Sequence, residues 1–235
     1  MSLYSKLLTL NTDKGEAIPS NGIYILRNNS KYYKYEDWDK SWNSTAIGVA
    51  IIDYSLPNKG FIIDKYNRGD ENTDYLGYPQ TDLAGYGTSL LPEYSNASSA
   101  KADKNGIHNT KVFLEETSGD SSDAVNFCST RYIYVGGKVY YGYVGAVGEW
   151  ELVRLNFDII EEMMLYIGGT TLYGGLFGNK YNSLSYWTST QQDYSDSRAF
   201  KITDAWGNLE ITIAPIGGGN NMARGLSFFP LVNFE

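Results

Sequence analysis

At 235 residues the chain is long enough to bury a core without a covalent or metal staple, and its single cysteine, Cys128, excludes a disulfide framework and a cysteine-based zinc site. A formal net charge of −8 disfavours nucleic acid and anionic membranes as partners, because both need a cationic surface. With 21 tyrosines and 25 glycines, the chain has more phenol hydroxyls than a core can bond, so many rings are expected at the surface.

The opening Met1-Ser2-Leu3-Tyr4-Ser5-Lys6 holds no apolar stretch that could act as a signal peptide, and no later run is long enough to span a bilayer, so no membrane insertion is expected. Residues 1–43 read as a leader followed by a β-hairpin, with 44–235 as the main domain or the whole as one continuous unit. In the hairpin, Ile23-Tyr24-Ile25-Leu26 and Tyr32-Tyr33-Lys34-Tyr35 flank the turn residues Asn28-Asn29-Ser30. A second hairpin joins Ala46–Ile52 to Phe61-Ile62-Ile63 through Pro57-Asn58-Lys59-Gly60, and the first of its runs is apolar on both faces, as a central strand is.

The stretch from Asn67 to Asn109 is polar and rich in Gly, Ser, Asn and Asp, and reads as a long loop. Ala124 to Tyr132 follows cap residues with apolar positions at helical spacing, which puts Cys128 on a buried helix face. Glu149 to Ile167 has amphipathic spacing with a break near Asn156, hence two helices in succession, the second opened by a capping box at Asp158–Glu161 and closed by Gly168-Gly169. Beyond it the chain reads as short strands at Leu184–Thr190, Ser197–Thr203, Asn208–Ala214 and Ala223–Leu231, with Ala223–Phe229 able to pair with Ala46–Ile52 and so close the chain ends together. No internal repeat is visible.

An ordered set of short motifs runs through this pattern. It comprises Ala46-Ile47-Gly48-Val49-Ala50, Gly106-Ile107-His108-Asn109-Thr110, Gly148-Glu149-Trp150, Gly168-Gly169, Tyr186-Trp187-Thr188-Ser189-Thr190, Arg198-Ala199-Phe200 and the closing Ala223–Leu231. The set resembles the bacterial and phage branch of the C-type-lectin fold, akin to formylglycine-generating enzymes, diversity-generating-retroelement variable proteins and phage receptor-binding proteins. That branch shows "LPS-x-x-EW", "GG", "YWSST" and a closing "RP"; here Val144-Gly145-Ala146 replaces "LPS" and the closing motif is degenerate. The resemblance implies an α+β, C-type-lectin-like fold with two short helices packed on small antiparallel sheets with long loops. It also implies a virion or bacterial-surface location. Trp150 and Trp187 are expected in the core, with Ser189 and Thr190 tying the strand end to nearby backbone.

The residues for chemistry are sparse. His108 is the only histidine and no nucleophile-elbow motif accompanies it. Formylglycine-type oxidation needs reactive cysteines, whereas Cys128 is alone in an apolar helix. Calcium-lectin motifs are missing, and the hint of a calcium loop at Asp103-Lys104-Asn105-Gly106 fails at both ends, where Lys101 and Val112 occupy ligand positions. No metal or other cofactor is therefore expected. Carboxylate pairs keep a glycoside hydrolase as one alternative, and a structural subunit of a phage tail or surface appendage is another.

The expectation is a non-catalytic ligand-binding or display protein, recognising a cell-surface glycan or protein, with oligomerisation left open. The resemblance places the binding face on loops between the last strands. In this chain those loops carry Asn179, Tyr181, Asn182, Tyr194, Asp196, Arg198, Trp206, Asn208, Asn220 and Asn221.

Overall fold

A computed structural model describes residues 13–65, 80–81, 83–84, 86–116, 123–169, 183–196, 198–205, 208–216, 223–224 and 226–234. Its centre is a six-stranded sheet in the order β2-β1-β3-β4-β13-β8. The strands are β1 (Gly22–Arg27), β2 (Tyr32–Tyr33), β3 (Ala46–Ile52), β4 (Gly60–Asp64), β8 (Tyr143–Val144) and β13 (Ser227–Pro230). Both expected hairpins form: β1 with β2, turning near Ser30 at φ 64°, and β3 with β4, turning at Lys59 with φ 59°. β3 is flanked by β1 and β4 and buried along nearly its whole length, which explains why it is apolar on both faces.

The chain ends do close together, but not by the expected pairing. β13 pairs with β4 and β8, while both edges of β3 are already taken. The Tyr32 hydroxyl completes the closure: it donates to the Val232 carbonyl at 2.8 Å and accepts from the Val232 N–H at 2.7 Å.

A second sheet has the order β11-β10-β9-β12-β5, with β5 (Gln80–Thr81), β9 (Ser183–Asp193), β10 (Arg198–Ala205), β11 (Asn208–Pro215) and β12 (Ala223–Arg224). All its pairings are antiparallel except β12 with β9. The expected final strand Ala223–Leu231 is thus two strands, one in each sheet. β6 (Tyr132–Val135) and β7 (Lys138–Tyr141) form a separate hairpin.

The α+β class holds, but there are more than two short helices. Among the described residues are α1 (Ala97–Ala100), α2 (Gly106–Glu116), α3 (Ala124–Thr130), α4 (Val147–Leu155) and α5 (Phe157–Tyr166). Two of these lie in or reach into the stretch read as a long loop. α1 is capped reciprocally by Asn96 and Ser99, whose side chains accept each other's backbone N–H. α2 begins at Gly106, within the stretch read as a loop; a Cβ there would stand 2.3 Å from the Glu149 Oε2, so only glycine allows this helix start to approach α4 so closely.

The break at Asn156 is where expected, but that residue does not cap α5. Its carboxamide donates back to the Leu152 carbonyl at 2.8 Å, and Asp158 lies within the first turn rather than at a capping position. α5 ends in a Schellman motif: Gly168 at φ 71° donates to Leu165 and Gly169 to Met164.

Three principal apolar clusters hold the layers together. Trp150 on α4 lies in the largest, stacked on Tyr186 of β9 at 5.5 Å and tilted against Phe228 of β13 at 5.0 Å. Trp187 lies in the second, with Phe113, Val125 and Cys128. The third covers the outer side of the central sheet, where Ile133, Val135 and Tyr140 of the β6–β7 hairpin pack on Leu26, Tyr32, Ile52 and Ile62. Both tryptophans and Cys128 are fully buried, as the pattern of apolar positions predicts.

Candidate functional site

β9 and β10 form a long antiparallel hairpin whose turn carries Tyr194 and Asp196, with Arg198 at the start of β10. All three are exposed, and Arg198 Nη2 stands 3.9 Å from Asp196 Oδ2. The turn is organised by Asp193: one carboxylate oxygen accepts from the Ser195 N–H at 2.8 Å, the Ser195 hydroxyl at 2.7 Å and the Asp196 N–H at 3.2 Å. The Ser195 hydroxyl, and then the Asp196 N–H, hold this carboxyl below its ordinary range.

Residues 88–93 buttress the turn from behind. The buried Gln191 side chain donates to the Thr88 carbonyl at 2.7 Å and the Leu91 carbonyl at 3.1 Å, and accepts from the Thr88 N–H at 3.2 Å. Glu93 accepts from the Tyr194 N–H at 3.0 Å. Because every polar atom of the Gln191 carboxamide is used, the turn is held in one geometry while Tyr194 remains 48% exposed.

Deeper in, a buried polar bracket ties β9 to α4 and α2. Asp103 Oδ2 accepts from the Thr190 hydroxyl at 2.7 Å and the Asn109 amide at 2.7 Å, while Oδ1 accepts from the Asn105 N–H at 3.2 Å. The same Thr190 oxygen accepts from the Val147 N–H, satisfying one of the donors exposed at the start of α4. Glu149 Oε2 accepts from the Ala146 N–H at 2.8 Å, and Oε1 accepts from the Tyr143 hydroxyl at 2.9 Å. Burial pushes the Glu149 carboxyl up to about 8, with the Asp103 charge adding to the rise and the donated hydrogen bonds opposing it. Thr110 mimics a strand partner, its hydroxyl donating to the Val144 carbonyl and accepting from the Val144 N–H.

These groups are committed to one another. Asp103 has both oxygens occupied by protein donors and 7% exposure, so it belongs to a structural bracket rather than a calcium loop. Among the described residues no group of three or more His, Cys, Asp or Glu could hold a metal ion. His108, expected in a loop, is exposed on helix α2. Thr190 ties the strand to backbone as expected; for Ser189 the backbone N–H does so instead, donating to the Gly145 carbonyl at 3.0 Å.

The structure gathers Tyr194, Asp196 and Arg198 at one end of the second sheet. Asn208 opens β11 at the other end, paired with Ala205, about 23 Å from Arg198 at the rise of an extended strand. An antiparallel hairpin necessarily puts successive turns at opposite ends, so Asn208 and the Tyr194–Arg198 turn do not share a face. Asn179, Tyr181, Asn182, Trp206, Asn220 and Asn221 lie outside the described residues. Gln191, Glu93 and the Asp103–Glu149 bracket escape sequence reasoning, since nothing local marks a glutamine or glutamate as buried.

Comparison with known proteins gives no match: no family model fits the chain, and no curated protein or solved structure matches it.

Proposed function

We propose that the protein is a non-catalytic ligand-binding or display protein of C-type-lectin-like fold, which recognises a cell-surface glycan or protein through the Tyr194–Arg198 turn. The observation that carries this reading is the contrast between a tip anchored by buried hydrogen bonds from Gln191 and an exposed ring and ion pair on that tip. A rigid aromatic beside paired charges offers contact area at low conformational cost. The sealed Asp103 and Glu149 carboxylates support a structural role for the acidic core. Among the described residues no helix is long and apolar enough to cross a membrane.

The test pairs Tyr194→Ala with Arg198→Ala in the full chain, screened against glycan and surface-protein arrays. The double variant should melt within about 3 °C of the parent, because both side chains are exposed, while array signals fall at least tenfold. Unchanged array binding would show that recognition lies elsewhere, and a large loss of stability would make the turn a structural element.

A further inference from the structure

The β6–β7 hairpin presents a second surface, built from elements remote from the Tyr194 turn. Its two-residue turn is Gly136-Gly137, both left-handed at φ 59° and 86°, the geometry that keeps two strands tightly paired. Cross-strand partners share a face, so Ile133, Val135 and Tyr140 pack inward while Tyr132, Tyr134, Val139 and Tyr141 point out. The three outward tyrosines are each 62% exposed, and Tyr132 and Tyr141 stand edge to face at 6.3 Å. None of the four outward positions of the hairpin is charged.

Tyr134 also forms the wall of a cavity of about 340 Å³ whose lining includes Asn28, Ser44, Thr45, Gly136 and Gly137. That volume lies at the lower end of the range for small-molecule sites, about 300–1,000 Å³. Among the described residues the lining has no charged side chain. The Thr45 hydroxyl is committed, donating to the Trp42 carbonyl and accepting from Arg27 Nε. Arg27 is in turn stacked over the Trp42 ring at 4.5 Å, so its charge is engaged beside the cavity. The Asn28 carboxamide and Ser44 hydroxyl, in contrast, bond no other group among the described residues. Between them they offer donors and acceptors to a ligand.

A ligand suited to these features is uncharged, bears several hydroxyl or amide groups, and has an apolar ring face to lie on Tyr134. We propose that this is a binding site for a neutral oligosaccharide, with one pyranose in the cavity against Tyr134 and further sugars running over Tyr132 and Tyr141. On a strand, residues two apart are spaced about 6.8 Å, which lets Tyr132 continue the platform that Tyr134 begins. The assignment stands independently of the Tyr194 reading.

The test titrates the full chain with cellohexaose, xylohexaose, maltohexaose and chitohexaose, and with a galacturonate hexamer as anionic control, by calorimetry and amide NMR. At least one neutral probe should bind with a Kd of about 1 mM or tighter. Tyr134→Ala should weaken it at least tenfold and Asn28→Ala severalfold, while Leu155→Ala, at an exposed position on α4, leaves it unchanged. Should Tyr134→Ala fail to fold, Asn28→Ala and Tyr132→Ala decide. The proposal falls if no neutral probe binds, if only the anionic control binds, or if binding ignores Tyr134 and Asn28. It also falls if the chain self-associates through this face, seen as a dimer in light scattering that Tyr132→Ala/Tyr141→Ala abolishes.

Discussion

Truncating Trp150 tests the packing of the core at its most connected point. The ring is fully buried and bridges α4 to both sheets through Tyr186 and Phe228. An indole of this kind removes about 200 Å² from water, worth roughly 5 kcal/mol at 25 cal/mol per Å² as an upper bound. Its Nε1–H, however, is buried with no acceptor among the described residues, and such a donor costs about 1–3 kcal/mol. Deleting the ring therefore also removes a penalty. The two effects together place Trp150→Ala at about 3 kcal/mol of destabilisation, near the low end of the range for large aromatics. Trp150→Phe keeps a ring between Tyr186 and Phe228 while dropping the unpaired N–H, so it should lie within about 1 kcal/mol of the parent. For a chain of this size the alanine variant should lose about 6–12 °C of melting temperature. Urea titration, followed by the fluorescence of the remaining tryptophans, measures both variants. Equal losses for Phe and Ala would mean that the indole N–H has a partner and the account of its cost is wrong; a neutral Trp150→Ala would remove the bridge altogether.

Two further outcomes follow from the buried titratable groups. Glu149 has an ordinary value of 4.5 and a folded value pushed up to about 8 by burial, so between these limits the folded chain holds a proton that the unfolded chain releases. Its contribution is complete below about pH 4.5 and is lost as pH rises towards 8, with a slope of up to about 1.4 kcal/mol per pH unit. Glu151 and Asp13 are lowered to about 2, chiefly by the Arg154 and Lys31 side chains respectively, so their contributions are lost only at lower pH. Stability measured by urea titration from pH 5 to 8 should decline in the parent and flatten in Glu149→Gln; equal slopes in the two would show that Glu149 is ionised throughout. Cys128 is buried and its thiol is pushed up to about 12 by burial, so a disulfide reagent at pH 8 should label it only in denaturant; rapid stoichiometric labelling of the native protein would contradict that placement.

The features legible in the sequence are those decided by neighbours a few residues apart. β3 is apolar at successive positions because both sheet faces are covered, and the apolar run shows it. The break at Asn156 and the glycine pair after α5 are written in helical spacing and in the one residue type that adopts a left-handed backbone freely. Trp150 and Trp187 announce their burial by size, and Trp150 also by falling on the apolar stripe of its helix.

What the tertiary structure alone decides are contacts between distant positions. The pairing of β13 with β4 rather than β3 depends on which strand edges are open once β1 has been added, and both candidate strands carry a buried apolar run. α2 forms through a glycine, an asparagine and a threonine of modest helical propensity because Gly106 fits against Glu149 and Asn109 reaches Asp103. Thr190 meets Asp103 across 87 residues of chain, a distance over which local pattern carries no information. Tyr132-Ile133-Tyr134-Val135 shows the same limit on a smaller scale: every residue is apolar enough for the core, and only the packing of Ile133 and Val135 on the central sheet leaves the two tyrosines facing water.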